Sequence, residues 1–221
     1  MKRRILPTIA LAATAALLLT ACGSGDDGGG NDKAAGTSPQ SSKPEPSKTA
    51  SSTPAEDKPD GVDVSVPKDM NLVFDWDKPK DPDEAAAMED AANFLRAIYR
   101  GVDKRTTKDA ALTTYATGGA LHYGEVQINE WIKGGWTGTG TRRHYDSTTR
   151  TASNGGSVEV AFCADTSKFY GKDVKTGKVQ KTDPSPKDFG HYKIIMAKVP
   201  TADDLWQATK VFVETESAQC R

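Results

Sequence analysis

Between Gly23 and Asp60 the chain has no Val, Ile, Leu, Met, Phe, Trp, Tyr or Cys. Gly, Ser, Thr and Pro fill 21 of these 38 positions. Such a stretch has nothing to bury and is expected to stay disordered. Cysteine is scarce too. There are three, and none forms a Cys-x-x-Cys pair, so neither a redox motif nor a zinc knuckle is indicated. The three histidines lie in separate segments, without His-x-x-x-His or a carboxylate at ligand spacing, so the sequence implies no metal and no cofactor. Serine elbow, phosphate loop and internal repeat are all missing. A basic surplus is missing as well: 29 Lys and Arg stand against 30 Asp and Glu, which argues against a nucleic-acid partner. The apolar run from Ile9 to Leu19 spans only eleven positions. A membrane-spanning helix needs about twenty.

What is present begins at the front. Lys2-Arg3-Arg4 precedes that apolar run, and small residues lead to Cys22, the layout of an export signal. Leu19-Thr20-Ala21-Cys22 resembles the lipobox of bacterial lipoproteins. The resemblance implies a diacylglyceryl group on the Cys22 sulfur and cleavage that makes Cys22 the first residue. The chain would then be exported and held by membrane lipid on the outer face of the cell membrane. A plain secretory signal is the alternative. Ile5-Leu6-Pro7 after Arg3-Arg4 fits twin-arginine export poorly, so the general secretory route is expected. Without residues 1–21 the balance is 26 Lys and Arg against 30 Asp and Glu, a net charge of −4. Cys163 and Cys220 then lie in an exported domain, where a disulfide between them is expected; two buried thiols are the alternative. The chain divides into a signal peptide (1–21), a tether (22–60) and a globular domain (61–221).

Within the domain, Val62, Val64 and Val66 alternate with polar residues, as do Leu72, Phe74 and Trp76, which lay an aromatic strip on the core. Asp75, Asp77, Asp81 and Asp83 lack calcium-loop spacing and read as loop and cap residues. Asp81, Pro82 and Glu84 have the spacing of a helix start with a capping box. Ala85, Met88, Ala92, Leu95, Tyr99 and Val102 form one apolar stripe, with Gly101 marking the end nearby. Further helices are expected from Thr106 or Thr107 to Thr117 and from Ala120 to Lys133. After Gly135 the period becomes two. Strands are expected over 136–150, broken at Gly138 and Gly140, then around Val158–Phe162, over 192–199 and over 206–214. Ser153-Asn154-Gly155-Gly156 is a hairpin turn signal. Residues 168–180 suit a strand pair or a loose excursion. From Lys168 to Lys193 seven lysines face three aspartates. That surplus suits either contact with anionic lipid or wall polymers, or a solvated edge guarded against pairing.

Helices first and strands second indicate an α+β domain. Phe74-Asp75-Trp76, the Ala-rich helix from Asp83, Val158 to Asp165 and a late Cys220 resemble exported members of the nuclear-transport-factor-2-like (cystatin-like) superfamily. The resemblance implies N-terminal helices packed on a curved antiparallel sheet, a cone with a pocket in its mouth. Enzymes of that superfamily place acid and base groups in the cone, which makes Tyr99, Tyr115, Tyr123, His122, His144, Asp165 and His191 the candidates here. No catalytic residue of the family maps onto this chain. The reading that follows is a lipid-anchored, non-enzymatic binding or interaction domain with a protein or small-molecule ligand. The alternatives are a dehydratase- or isomerase-type enzyme and a structural member of an envelope secretion or wall-assembly complex.

Overall fold

The computed structural model describes residues 58–202 and 204–221. The signal segment, Cys22 and nearly all of the expected tether lie outside the described residues. A turn at Pro59–Gly61 leads into strand β1 (Met70–Phe74). Three helices follow: α1 (Pro82–Lys104), α2 (Ala110–Tyr115) and α3 (Gly118–Gly134). The remaining strands are β2 (Trp136–Thr151), β3 (Ser157–Asp173), β4 (Val179–Gln180), β5 (Phe189–Lys198) and β6 (Trp206–Thr215). The fold is α+β, with helices packed against a curved sheet of order β1-β2-β3-β5-β6, and β4 paired to the end of β3. Among the described residues no helix is long and apolar enough to cross a membrane.

The sheet is mixed, not purely antiparallel as expected. β1 runs parallel to β2, with Leu72 opposite Arg142 and Phe74 opposite His144. A parallel neighbour requires a long crossover, and the three helices supply it. β2 is continuous through Gly138 and Gly140. Gly140 sits at φ +95°, where a Cβ would meet the Lys168 carbonyl at 2.2 Å, so glycine here lets the strand bend without breaking. Register shifts between Thr141 and Arg143 and between Tyr145 and Thr148 add to the curvature.

α1 starts as its sequence indicates: the Asp81 carboxylate accepts the Glu84 N–H at 3.0 Å and Pro82 opens the first turn. The reciprocal half of the capping box is not made. Glu84 instead accepts from Thr149 Oγ1 and Thr151 Oγ1, each at 2.8 Å, joining the helix to the end of β2. Gly101 does not end α1. It lies inside the helix because Ile128 Cδ1 occupies the space of a Cβ, 2.5 Å away, and α1 and α3 meet there. Arg105, left-handed at φ +55°, closes the helix.

The core lies between the helices and one face of the sheet. Phe94, Leu112, Tyr115 and Ile128 meet Val158, Val160, Phe162, Ile194, Met196 and Trp206, all without exposure. The other face of β3 is covered near Cys163 by the C-terminal turn Ala218–Cys220. The expected Cys163–Cys220 disulfide is formed, with the Cα atoms 5.4 Å apart. Tyr145 donates to the Cys220 carbonyl beside it.

Candidate ligand-binding site

Alternation along β2 sends Arg142 and His144 to the helix side and Arg143 to solvent. Arg142 is therefore buried. Its Nε donates to His144 Nε2 at 3.1 Å and its Nη2 to the Tyr192 hydroxyl at 2.9 Å. The guanidinium also lies over the rings of Tyr192 (5.5 Å) and Tyr99 (5.7 Å). Among the described residues no carboxylate pairs with it. Burial works against its charge, and the hydrogen bond to the Tyr192 hydroxyl favours it.

The seven sequence candidates do not form one site. Tyr99, Tyr123 and His144 gather at Arg142, together with Tyr192. Tyr115 is elsewhere: its hydroxyl donates to Asp60 at 2.9 Å, with the Pro59 carbonyl at 3.0 Å, and it clips the entering chain to α2. His122 is exposed on α3. Asp165 accepts the Ser167 N–H at 2.8 Å, a local backbone role. His191 lies on the opposite sheet face, paired with Cys163 on β3 and Glu214 on β6.

The inner cluster holds its protons. His144 Nδ1 faces the Val73 carbonyl at 3.1 Å while Nε2 accepts from Arg142, which fixes one neutral tautomer. Burial and then the Arg142 charge hold its pKa well below the ordinary histidine value. Its ring stacks on Phe74 at 4.6 Å. Burial pushes the Tyr99 and Tyr123 phenols up, so both stay protonated. These groups can donate hydrogen bonds, but none is poised to exchange protons near neutrality.

Open space lies on the far side of Phe169. This ring meets Tyr99 edge-on at 5.2 Å and Trp131 at 6.1 Å, so it walls the Arg142 cluster off from a cleft of about 380 Å³. The cleft is lined by Trp131, Trp136, Phe169 and Tyr170, with Glu130, Gln180 and Thr182 adding polar atoms. Glycines make room for the rings. A Cβ on Gly138 would lie 2.5 Å from Phe169, and one on Gly134 or Gly171 would lie 2.6 or 3.3 Å from Trp136.

Arg142, Tyr192 and the cleft were all missed in the sequence. Trp131 falls within the expected helix from Ala120 to Lys133 and Trp136 opens the expected strand over 136–150, and neither position signals a cleft. The lysine-rich stretch contributes Phe169, Tyr170, Gly171, Gln180 and Thr182 to the cleft, while its last lysine, Lys193, borders a recess on the outer sheet face. Lys172 pairs with Asp69 at 2.5 Å, and Lys168, Lys175, Lys178, Lys181, Lys187 and Lys193 are exposed.

Two further recesses among the described residues hold polar or exposed apolar groups. One, of about 430 Å³, lies on the outer sheet face beside Phe212, which is 55% exposed. The other, of about 240 Å³, contains Asp60, Glu89, Asp90 and Asp204. There Asp90 is buried, accepts the Trp206 N–H at 2.8 Å, and has its pKa pushed up to about 7 by burial.

No family model matches the chain, and no curated protein matches it. Solved structures with a similar arrangement of elements include a nuclear-transport-factor-2-like superfamily protein from Salmonella enterica. It is 12% identical over 60% of this chain and 90% of that one, with a TM-score of 0.41. Aln2 from a Streptomyces species is 12% identical over 63% and 95%, with a TM-score of 0.42. A putative ketosteroid isomerase from Shewanella frigidimarina is 14% identical over 60% and 98%, with a TM-score of 0.32.

Proposed function

We propose that this chain is an exported lipoprotein whose domain binds an extracytoplasmic ligand in the aromatic cleft. Acylated Cys22 would fix it to membrane lipid, and the 22–60 tether would carry the domain outward by roughly 35 Å. The observation that carries the binding reading is the contrast between the two sides of Phe169. On the inner side, aromatic rings close around Arg142, and His144, Tyr99 and Tyr123 keep fixed protonation states. On the outer side, aromatic rings and a few polar groups border an open cleft. A dehydratase or isomerase needs a reachable base with a pKa suited to its task, and the inner cluster offers none. The anchor reading rests on Leu19-Thr20-Ala21-Cys22.

The test is fractionation of the native host with a labelled fatty acid. The wild-type protein is expected in the membrane pellet with label attached. Cys22→Ala is expected in the soluble fraction or medium, unlabelled. Recovery of Cys22→Ala in the pellet at the wild-type level defeats the anchor.

A further inference from the structure

We infer that the ligand of the aromatic cleft is an acidic glycan, a sugar chain carrying carboxylate or phosphate groups. The inference rests on the binding reading above and names its ligand class. Sugar rings have apolar C–H faces and hydroxyl edges, so they suit aromatic surfaces bordered by hydrogen-bonding groups. Trp136 supplies such a surface. Gly134 and Gly171 leave the space its ring occupies, and any side chain at either position would press on it. Its orientation is therefore set before a ligand arrives, which lowers the ordering cost of binding. Phe169 is seated in the same way over Gly138.

The polar groups fit this ligand. Gln180 has an amide donor and acceptor, Thr182 a hydroxyl and Glu130 a carboxylate acceptor, all bordering the cleft. The volume of about 380 Å³ falls within the ~300–1,000 Å³ of ordinary small-ligand sites. Because the cleft is a trough and not a sealed cavity, a chain can pass through it. Charge decides between neutral and acidic sugars. Gln180 is flanked in sequence by exposed Lys178 and Lys181, whereas Lys172 is paired with Asp69 and Lys193 borders the outer-face recess. The Lys178 and Lys181 charges attract anionic substituents at moderate ionic strength.

The test uses the full chain as Cys22→Ser, in buffer without detergent, with tryptophan fluorescence as the readout. Two of the four tryptophans border the cleft. Probes are a hyaluronan tetrasaccharide, a neutral N-acetylglucosamine tetramer, inorganic polyphosphate and lauric acid. The hyaluronan fragment is expected to bind saturably and at least about threefold more tightly than the neutral tetramer. Trp136→Ala is expected to weaken it by about tenfold or more. Lys178→Ser with Lys181→Ser should remove most of the preference for the acidic probe and its salt dependence. Gln180→Ala, an exposed change that leaves the ring packing intact, should weaken binding severalfold, and Phe212→Ala on the outer face should not.

Equal binding of both saccharides overturns the acidic assignment. Polyphosphate binding that Trp136→Ala does not affect, without saccharide binding, overturns the glycan in favour of a plain polyanion surface. Lauric acid binding that depends on Trp136, without saccharide binding, overturns the glycan and leaves the cleft reading standing. Binding of no probe overturns both, while the Cys22 fractionation remains a separate result.

Discussion

Asp90 shows how one carboxyl sets a pH dependence. Its folded pKa of about 7 stands above its ordinary value of 3.8 because burial disfavours the charge. Between those values the native state binds the proton better than the unfolded chain, so this residue costs stability progressively as pH rises to about 7 and no further above it. Asp90→Asn keeps an acceptor for the Trp206 N–H and removes the charge. It is expected to raise the melting temperature, by about 2–4 °C per kcal/mol gained. The gain should grow from pH 4 to pH 7 and then level off. Thermal melts of both proteins across that range check it, and a gain that shrinks with pH contradicts the assignment. His144 acts in the opposite sense. Its folded pKa is depressed, so the unfolded chain takes the proton first and stability falls as pH drops below about 6.5, the unfolded value. Measuring Asp90→Asn relative to wild type separates the two. Arg142 was illegible in the sequence for a related reason. Arg142 and Arg143 are adjacent and chemically alike, and one points in and the other out. Their neighbours Gly138 and Gly140 give no hydrophobic phase to say which.

Among the elements, the start of α1 and the strand periods were readable because they depend on near neighbours, whereas α2 starts at Ala110 and not at Thr106 or Thr107, and α3 at Gly118 and not at Ala120. Asp81 and Pro82 fix the start of α1. Val158, Val160 and Phe162 alternate as one buried face of β3. Pairing was not readable. Nothing local tells Met70–Phe74 to lie parallel to β2, since that depends on where the three helices return the chain. The cleft has the same origin: Gly138 makes room for Phe169 and Gly171 for Trp136 only in the observed β2–β3 register. The disulfide joins β3, the middle strand of the sheet order, to the last turn. Replacing Cys163 and Cys220 together by Ser is expected to cost about 2–4 kcal/mol. The loss should appear as a lower denaturation midpoint, with membrane attachment unchanged in the fractionation assay. Stability equal to wild type would show that the Tyr145 hydrogen bond and the surrounding packing hold the C-terminal turn unaided.

At the scale of the whole molecule, the proposed anchor and the fold are separate problems. Among the described residues the core runs from Val64 to Cys220, and the stretch between Gly23 and Asp57 has, apart from proline, no apolar side chain larger than alanine. Deleting 23–57 is therefore expected to leave the melting temperature within about 1 °C of wild type, because the deleted sequence has no large apolar side chain to bury. Calorimetry of the two proteins checks this. A drop of several degrees would mean that the stretch packs on the domain. The run of strands after the helices was legible in the sequence because the apolar period changes at Gly135, whereas β1 lies ahead of the helices and was not part of that order. The balance between filled interior and open cleft was not legible, because it depends on how Phe169 divides the space.

The clip between Tyr115 and the entering chain has a mechanical meaning. If the chain is anchored at Cys22 and holds a ligand at its cleft, tension reaches the domain through Lys58 and Pro59. The Tyr115 hydrogen bond to Asp60 is then among the first bonds to carry the load. It ties that load to α2, where Leu112 and Tyr115 are buried in the core. At the other terminus, the covalent link from Cys220 keeps the last turn on β3. The domain thus has a non-covalent release point at the end that is pulled and a covalent lock at the end that is not. Under strain it would give way by peeling from the front while the sheet stays whole.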